Sequence, residues 1–307
     1  MTATAARPAG PLVHRPGSHR DKPRRRATST GRAAWVLLTP LIAINALVVA
    51  IPSLLSVYYS FTDWSGIGEA RFIGLDNYTT MFTDPEIRIA LGNNLLWTVG
   101  FLTFPMAMAL AGAFLLTRIR RFQILFRICF FVPYVIGAVL NSAIWRVLLS
   151  PDTGIGSVFD INPLGDPDLA LGSVGVVTTW GWWGFLLVIF LAAMRGVNPS
   201  VYEASELDGA GPLRQFLSIT LPSIRPTFVF LALQTVIWSF MSFDYIFILT
   251  GGGPGGASDM LSTVLYRDSF SANRAGYGCA MGVLIALIAV AVLSVYYLLR
   301  RRKGWEL

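Results

Sequence analysis

The stretch Val283-Leu-Ile-Ala-Leu-Ile-Ala-Val-Ala-Val292 runs for ten residues without a polar side chain. It lacks the apolar and polar alternation of a membrane barrel strand, whose two faces meet different surroundings. In hydrocarbon the backbone must satisfy its own hydrogen bonds, which leaves the α-helix. Working outward, apolar character extends over residues 277–299. About 20 residues at a rise of roughly 1.5 Å cross the ~30 Å hydrocarbon layer. Residues 33–61, 94–117, 124–148, 170–194 and 227–250 read the same way. The expected class is all-α: a polytopic membrane protein with six transmembrane helices forming one domain, residues 33–303.

Composition supports that reading. Of 307 residues, 54% are hydrophobic and 13% charged, whereas soluble domains carry about 25% charged residues. The net charge of +7 does not point to nucleic acid, because the basic residues flank the apolar runs instead of gathering on a water-facing surface. Nineteen of the 24 Lys and Arg fall in the termini and the connections on their side, against four in the alternate connections. The positive-inside rule therefore places both termini in the cytoplasm of a multi-pass plasma-membrane protein.

Residues 1–32 hold eight basic residues against one acid and read as a disordered basic tail. Arg24 to Arg26 imitate a signal-peptide n-region, but the run that follows is too long for one, so it reads as an uncleaved first span. Residues 304–307 form a short C-terminal tail. Cys129 and Cys279 are expected on opposite membrane sides, with no disulfide and no neighbours of a metal site. The sequence calls for no metal and no cofactor. Trp64, Tyr78, Trp145, Trp180, Trp182, Trp183, Tyr277 and Trp305 lie near span ends or in adjacent loops and read as interfacial anchors. Stacking on a sugar ring is the alternative role for any that faces a cavity.

Between the fourth and fifth spans lies Asn198-Pro-Ser-Val-Tyr-Glu-Ala-Ser-Glu-Leu-Asp-Gly-Ala-Gly-Pro-Leu-Arg-Gln-Phe-Leu-Ser-Ile-Thr-Leu-Pro222, more than a connection needs. Asn198 or Ser200 can cap a helix that has Pro199 in its first turn, and Ser200-x-x-Glu203 has the spacing of a capping box. Asp208-Gly209 breaks it. A second helix starts near Pro212, places Phe216, Ile219 and Thr220 on one face, and is expected to end at Pro222. A helical hairpin on the cytoplasmic surface, within residues 195–226, suits docking to a soluble partner.

Glu203-Ala204-Ser205, Gly209, Ile219 and Leu221-Pro222, at their spacing and in this loop, resemble the EAA loop of binding-protein-dependent ABC importer permeases. Ser205 departs from the family's second Ala. The resemblance implies the type I importer permease fold and a coupling helix seated in a groove of a cytoplasmic ATPase. It assigns Tyr202, Glu203, Ala204, Ser205, Asp208, Gly209, Ala210, Phe216, Leu221 and Pro222 to that contact. Phe72-Ile-Gly-Leu-Asp-Asn-Tyr78, Phe243-Asp244 and Leu249-Thr-Gly-Gly-Gly-Pro254 resemble the sugar and glycerol-3-phosphate type. That subfamily implies an assembly with a second, homologous permease, two ATPase subunits and an external solute-binding protein. Thr250, Gly251, Gly252, Gly253 and Pro254 would form an outer-gate turn, with a flexible turn as the plainer alternative.

Asp244 is the one acid within or at the edge of a span, where a charge needs a partner or water. An ion pair or hydrogen bond ordering the outer gate, substrate contact, and interfacial solvation are its three readings. Tyr134, Asn141, Gln234, Trp238 and Asp244 are the candidates for the substrate path, against helix-to-helix hydrogen bonding as the default for such polar groups. No Gly-x-x-x-x-Gly-Lys-Ser/Thr occurs, so nucleotide is handled by another subunit. An ion-coupled secondary transporter working alone would favour midplane carboxylates, and a membrane enzyme would need His or paired acids in the spans. The spans hold neither.

Overall fold

The computed structural model describes residues 29–119 and 121–302. The basic tail up to residue 28, residues 304–307 and Trp305 lie outside them. The chain divides into two units, Met1–Pro52 and Ser53–Leu307. Four helices are long and apolar enough to cross a membrane: α1 (Ala34–Tyr59), α3 (Pro85–Arg118), α6 (Pro167–Arg195) and α12 (Ala275–Leu298). Two bent pairs make up six spans: α4 (Gln123–Ile136) with α5 (Ala138–Leu148), and α8 (Pro212–Ser223) with α9 (Arg225–Phe240). Shorter helices α2 (Asp76–Thr83), α7 (Pro199–Leu207), α10 (Asp244–Leu249) and α11 (Leu261–Tyr266) fill the connections.

The core of the larger unit is the packing of α3 on α6. Ala109 and Ala113, four apart, let Leu186, Leu187 and Phe190 approach closely, and all five side chains are buried. Small residues at that spacing are what allow helices to associate where lipid removes the hydrophobic drive. The first span is different: its apolar side chains are almost all exposed, a surface that hydrocarbon can cover. Asn77 closes off its end by donating to the Ser60 and Thr62 carbonyls at 2.9 and 2.8 Å, and Tyr78 shares a 2.7 Å hydrogen bond with Ser60. The Phe72 to Tyr78 stretch therefore clasps the exit of the first span.

Three boundaries differ from the sequence reading. The second span starts at Pro85, not residue 94, because Asp84 caps it by accepting from the Glu86 amide at 2.9 Å. The third span is not straight. It turns by 99° at Gly137, whose φ of +80° with ψ of 166° only glycine adopts readily. The fifth span stops at Phe240, well short of residue 250, and the chain restarts as α10. Met241 closes the last turn onto Trp238, and the released Ser242 carbonyl accepts a hydrogen bond from Ser262.

Candidate functional site

Two features stand apart from the packing: the hairpin between α6 and α9, and a cavity among α3, α4, α5, α6, α9 and α10.

In the hairpin, Asn198 caps α7 by accepting from the Ser200 amide at 3.0 Å. The Ser200 hydroxyl also donates to Asn198, so the Ser200–Glu203 capping box is not made and Glu203 points free into the surroundings. Helix α7 ends in a Schellman arrangement. Gly209 at φ +75° donates to the Glu206 carbonyl and Ala210 to that of Ser205, at 3.0 and 2.9 Å. The Asp208-Gly209 break is thus realised in full. Tyr202 reaches across to Thr220 at 2.8 Å. Ser205, the departure from the family pattern, ties the two arms: its hydroxyl donates to the Tyr202 carbonyl and accepts from the Gln215 amide at 3.0 Å. The Gln215 side chain is held in turn by Arg118 at the end of α3, and Phe216 packs on Phe114 with ring centroids 4.7 Å apart.

Pro222 does not end the second arm. A wide π turn at Phe216–Thr220, closed by the Leu221 amide on the Phe216 carbonyl, carries the helix through Pro222 to Ser223. The 70° bend comes at Ile224. Of the residues assigned to the hairpin contact, Glu203, Ala204, Asp208, Gly209 and Pro222 are exposed, whereas Tyr202, Ser205, Ala210, Phe216 and Leu221 are half-buried and hold its shape. Leu207 was not singled out from sequence, yet it is 91% exposed beside the Gly209 turn. An apolar residue directly before a Gly-bearing break in a polar loop was the signal that could have found it.

The cavity has a volume of about 740 Å³. Tyr134, Trp238 and Asp244 all line it, brought together from three helices. Gln234 and Asn141 do not. One residue along α9 turns the helix by about 100°, so Thr235 faces the cavity in place of Gln234. Asn141 is fully buried, donating to the Pro133 carbonyl at 2.7 Å and to Tyr245 at 3.0 Å. It braces the bend at Gly137. Trp182, read as an interfacial anchor, lines the cavity and packs on Trp238 with centroids 4.1 Å apart. Asp244 makes neither hydrogen bond nor ion pair among the described residues, so the gate-ordering ion pair is not formed there.

Ionic order lies elsewhere, in the loop after α10. Thr250 pairs with Ser258 at 2.8 Å, and Ser258 holds the Gly253 carbonyl at 2.6 Å. A Cβ on Gly252 would stand 1.9 Å from an Asp259 oxygen. Residues Thr250 to Pro254 are therefore a pinned turn instead of a flexible one. Asp259 accepts from Thr263 and pairs with Arg267 at 2.9 Å, and Arg267 also reaches Glu86 at 2.9 Å. Asn93 and Asn94 of α3 bind the same loop, Asn93 through the Ala257 and Asp259 carbonyls and Asn94 through the Leu261 amide. Glu86, Asn93 and Asn94 drew no attention in the sequence, because their partners in this loop lie more than a hundred residues away.

Burial pushes the Asp259 carboxyl above the usual Asp range, even with the Arg267 guanidinium beside it. Replacing Arg267 with Met should cost about 2 kcal/mol, less than the ~3–5 of a fully buried pair, because the guanidinium is 40% exposed and Asp259 only 5%. A folded-state pKa above the unfolded one means the protonated carboxyl favours folding and its ionisation opposes it. The variant should therefore recover on acidification, as pH falls through that raised value. Thermal unfolding of the detergent-solubilised protein against pH reads this out; an unchanged or alkaline-restored Tm would contradict it.

Comparison with known proteins adds four findings. The family described as "Binding-protein-dependent transport system inner membrane component" matches residues 104–305, more than half the chain. The chain is 32% identical over 84% of its length to "Probable ABC transporter permease protein YurN" of Bacillus subtilis, covering 92% of that protein. It is 32% identical over 94% of its length to "Diacetylchitobiose uptake system permease protein NgcF" of Streptomyces coelicolor, covering 88% of it. Among solved structures, a bacterial ABC transporter involved in the import of the acidic polysaccharide alginate contains a chain of the same fold. The TM-score is 0.80 at 24% identity, covering 89% of this chain and 96% of that one.

Proposed function

The chain belongs to the binding-protein-dependent transport system inner membrane components and is a permease subunit of an ABC importer; from that premise we propose which solute class it carries and how it is driven. The cargo is a sugar. Relatives named for diacetylchitobiose and for starch degradation products support this, as does a cavity whose walls carry Tyr134, Trp182 and Trp238. Aromatic faces offer apolar contact to the C–H faces of a pyranose, and Thr235, Ser242 and Asp244 offer hydrogen bonds to its hydroxyls.

The subunit works beside a second, homologous permease, with two cytoplasmic ATPases and an external binding protein, and both its termini are cytoplasmic. The observation that carries the drive mechanism is the hairpin itself. It presents Glu203, Leu207, Asp208 and Gly209 outward on a short helix while Gln215 and Phe216 lock its base onto α3. Closure of the ATPases on α7 would be passed through that base to α3 and, across the bend at Ile224, to α9. The spans would then switch between two access states that solute and nucleotide bias by differential affinity.

A single cysteine replacing Trp238, in a chain with Cys129 and Cys279 changed to Ser, tests the path. In the assembled importer its reactivity with a small aqueous thiol reagent is expected to rise and fall with the ATP cycle. No labelling at any stage would remove the cavity from the path.

A further inference from the structure

The cavity's charge is as informative as its shape. None of its lining residues is Lys, Arg or His, and the single formal charge on its wall is the Asp244 carboxylate, which no ion pair neutralises among the described residues. Arg146 of α5 donates to the Ile248 carbonyl and does not line the space. Asp244 also sits in the first turn of α10, so an anion approaching the start of that helix meets a like charge. A binding space for a carboxylate, sulfonate or phosphate needs cations or free N–H donors to replace lost hydration. This one offers the opposite sign.

What it does offer fits neutral hydroxyls. Thr235 is 98% buried in the wall, and its hydroxyl has no hydrogen-bond partner among the described residues, a group whose desolvation a ligand hydroxyl would offset (relative exposure 2%). Ser239, one turn on, is by contrast fully engaged with Thr98 at 2.5 Å and the Val236 carbonyl. Resting on the reading of this cavity as the path, we propose that it is an anion-excluding filter: the subunit passes uncharged sugars and rejects uronates, sulfonated sugars and sugar phosphates, with Asp244 setting the sign and Thr235 serving as a hydroxyl contact.

The test needs no knowledge of the particular sugar. A cysteine replacing Ser242, in the chain lacking Cys129 and Cys279 and assembled with its partners, is reacted with the cationic reagent MTSET and the anionic reagent MTSES. Each rate is divided by that reagent's rate on 2-mercaptoethanol. The cationic reagent is expected to be favoured by about tenfold or more, and the preference should collapse towards unity when Asp244→Asn is added. Equal normalised rates, or an anionic preference, would overturn the filter while leaving the path reading intact. A preference that survives Asp244→Asn would remove Asp244 as its source. Failure of both reagents to react at any stage of the ATP cycle would defeat the path reading, and the filter with it.

Discussion

Gly209→Asp is expected to abolish uptake while leaving the amount of protein in the membrane unchanged. Gly209 sits at φ +75°, a conformation that costs an L side chain roughly 1–2 kcal/mol but that Asp and Asn tolerate better than most. A Cβ there meets nothing within 4 Å, so the substitution starts into open space. What changes is the outer surface: a second carboxylate beside Asp208, on the turn that we propose docks to the ATPase. A docking loss of ~1.4 kcal/mol already means a tenfold drop. Gly209→Asn keeps the shape without the charge and should retain substantial uptake. Glu203→Lys, which inverts an exposed charge on the same helix, should resemble Gly209→Asp. Full transport by both Gly209→Asp and Glu203→Lys would remove the coupling role from α7.

Gly184→Ala is expected to destabilise the membrane domain, because one added methyl would force two packed helices apart. A Cβ at Gly184 would lie 1.8 Å from the Phe130 carbonyl oxygen, which is backbone and cannot swing aside, so α4 would have to part from α6. Overpacking of this kind costs about 1–3 kcal/mol, and the upper end applies where backbone must move. Gly175→Ala on the same helix is the control. There the Cβ would make an ordinary 3.6 Å contact with Trp97, and Ala is the better helix former by about 1 kcal/mol. The expected result is a clearly lower Tm for Gly184→Ala and an equal or higher one for Gly175→Ala, measured in the same detergent. Matching Tm values would mean that α4 and α6 do not pack against each other at Gly184.

Both predictions rest on glycines, yet they were not equally visible beforehand. Gly209 follows Asp in a polar loop after a capped helical segment, so its turn could be read from local signals. Gly184 lies in an unbroken apolar run beside Trp182 and Trp183 and looks like any small residue in a span. Its importance comes from Phe130, more than fifty residues away, and only the packing of α4 on α6 reveals it.

By itself the sequence determined whatever depends on neighbours along the chain. Length and unbroken apolarity make helices that cross the membrane, because backbone hydrogen bonds have nowhere else to go in hydrocarbon. Asn198, Pro199, Asp208 and Gly209 build the hairpin, because caps and breaks act over three or four residues. The tertiary structure alone decided which faces meet. It stopped the fifth span at Phe240, put Thr235 in the cavity and left Gln234 out of it. It also turned Asn141 into a brace for Pro133 and Tyr245, and drew Asp259, Arg267 and Glu86 into one latch. Those outcomes follow from contacts between residues on different elements, whose geometry exists only once the helices have packed.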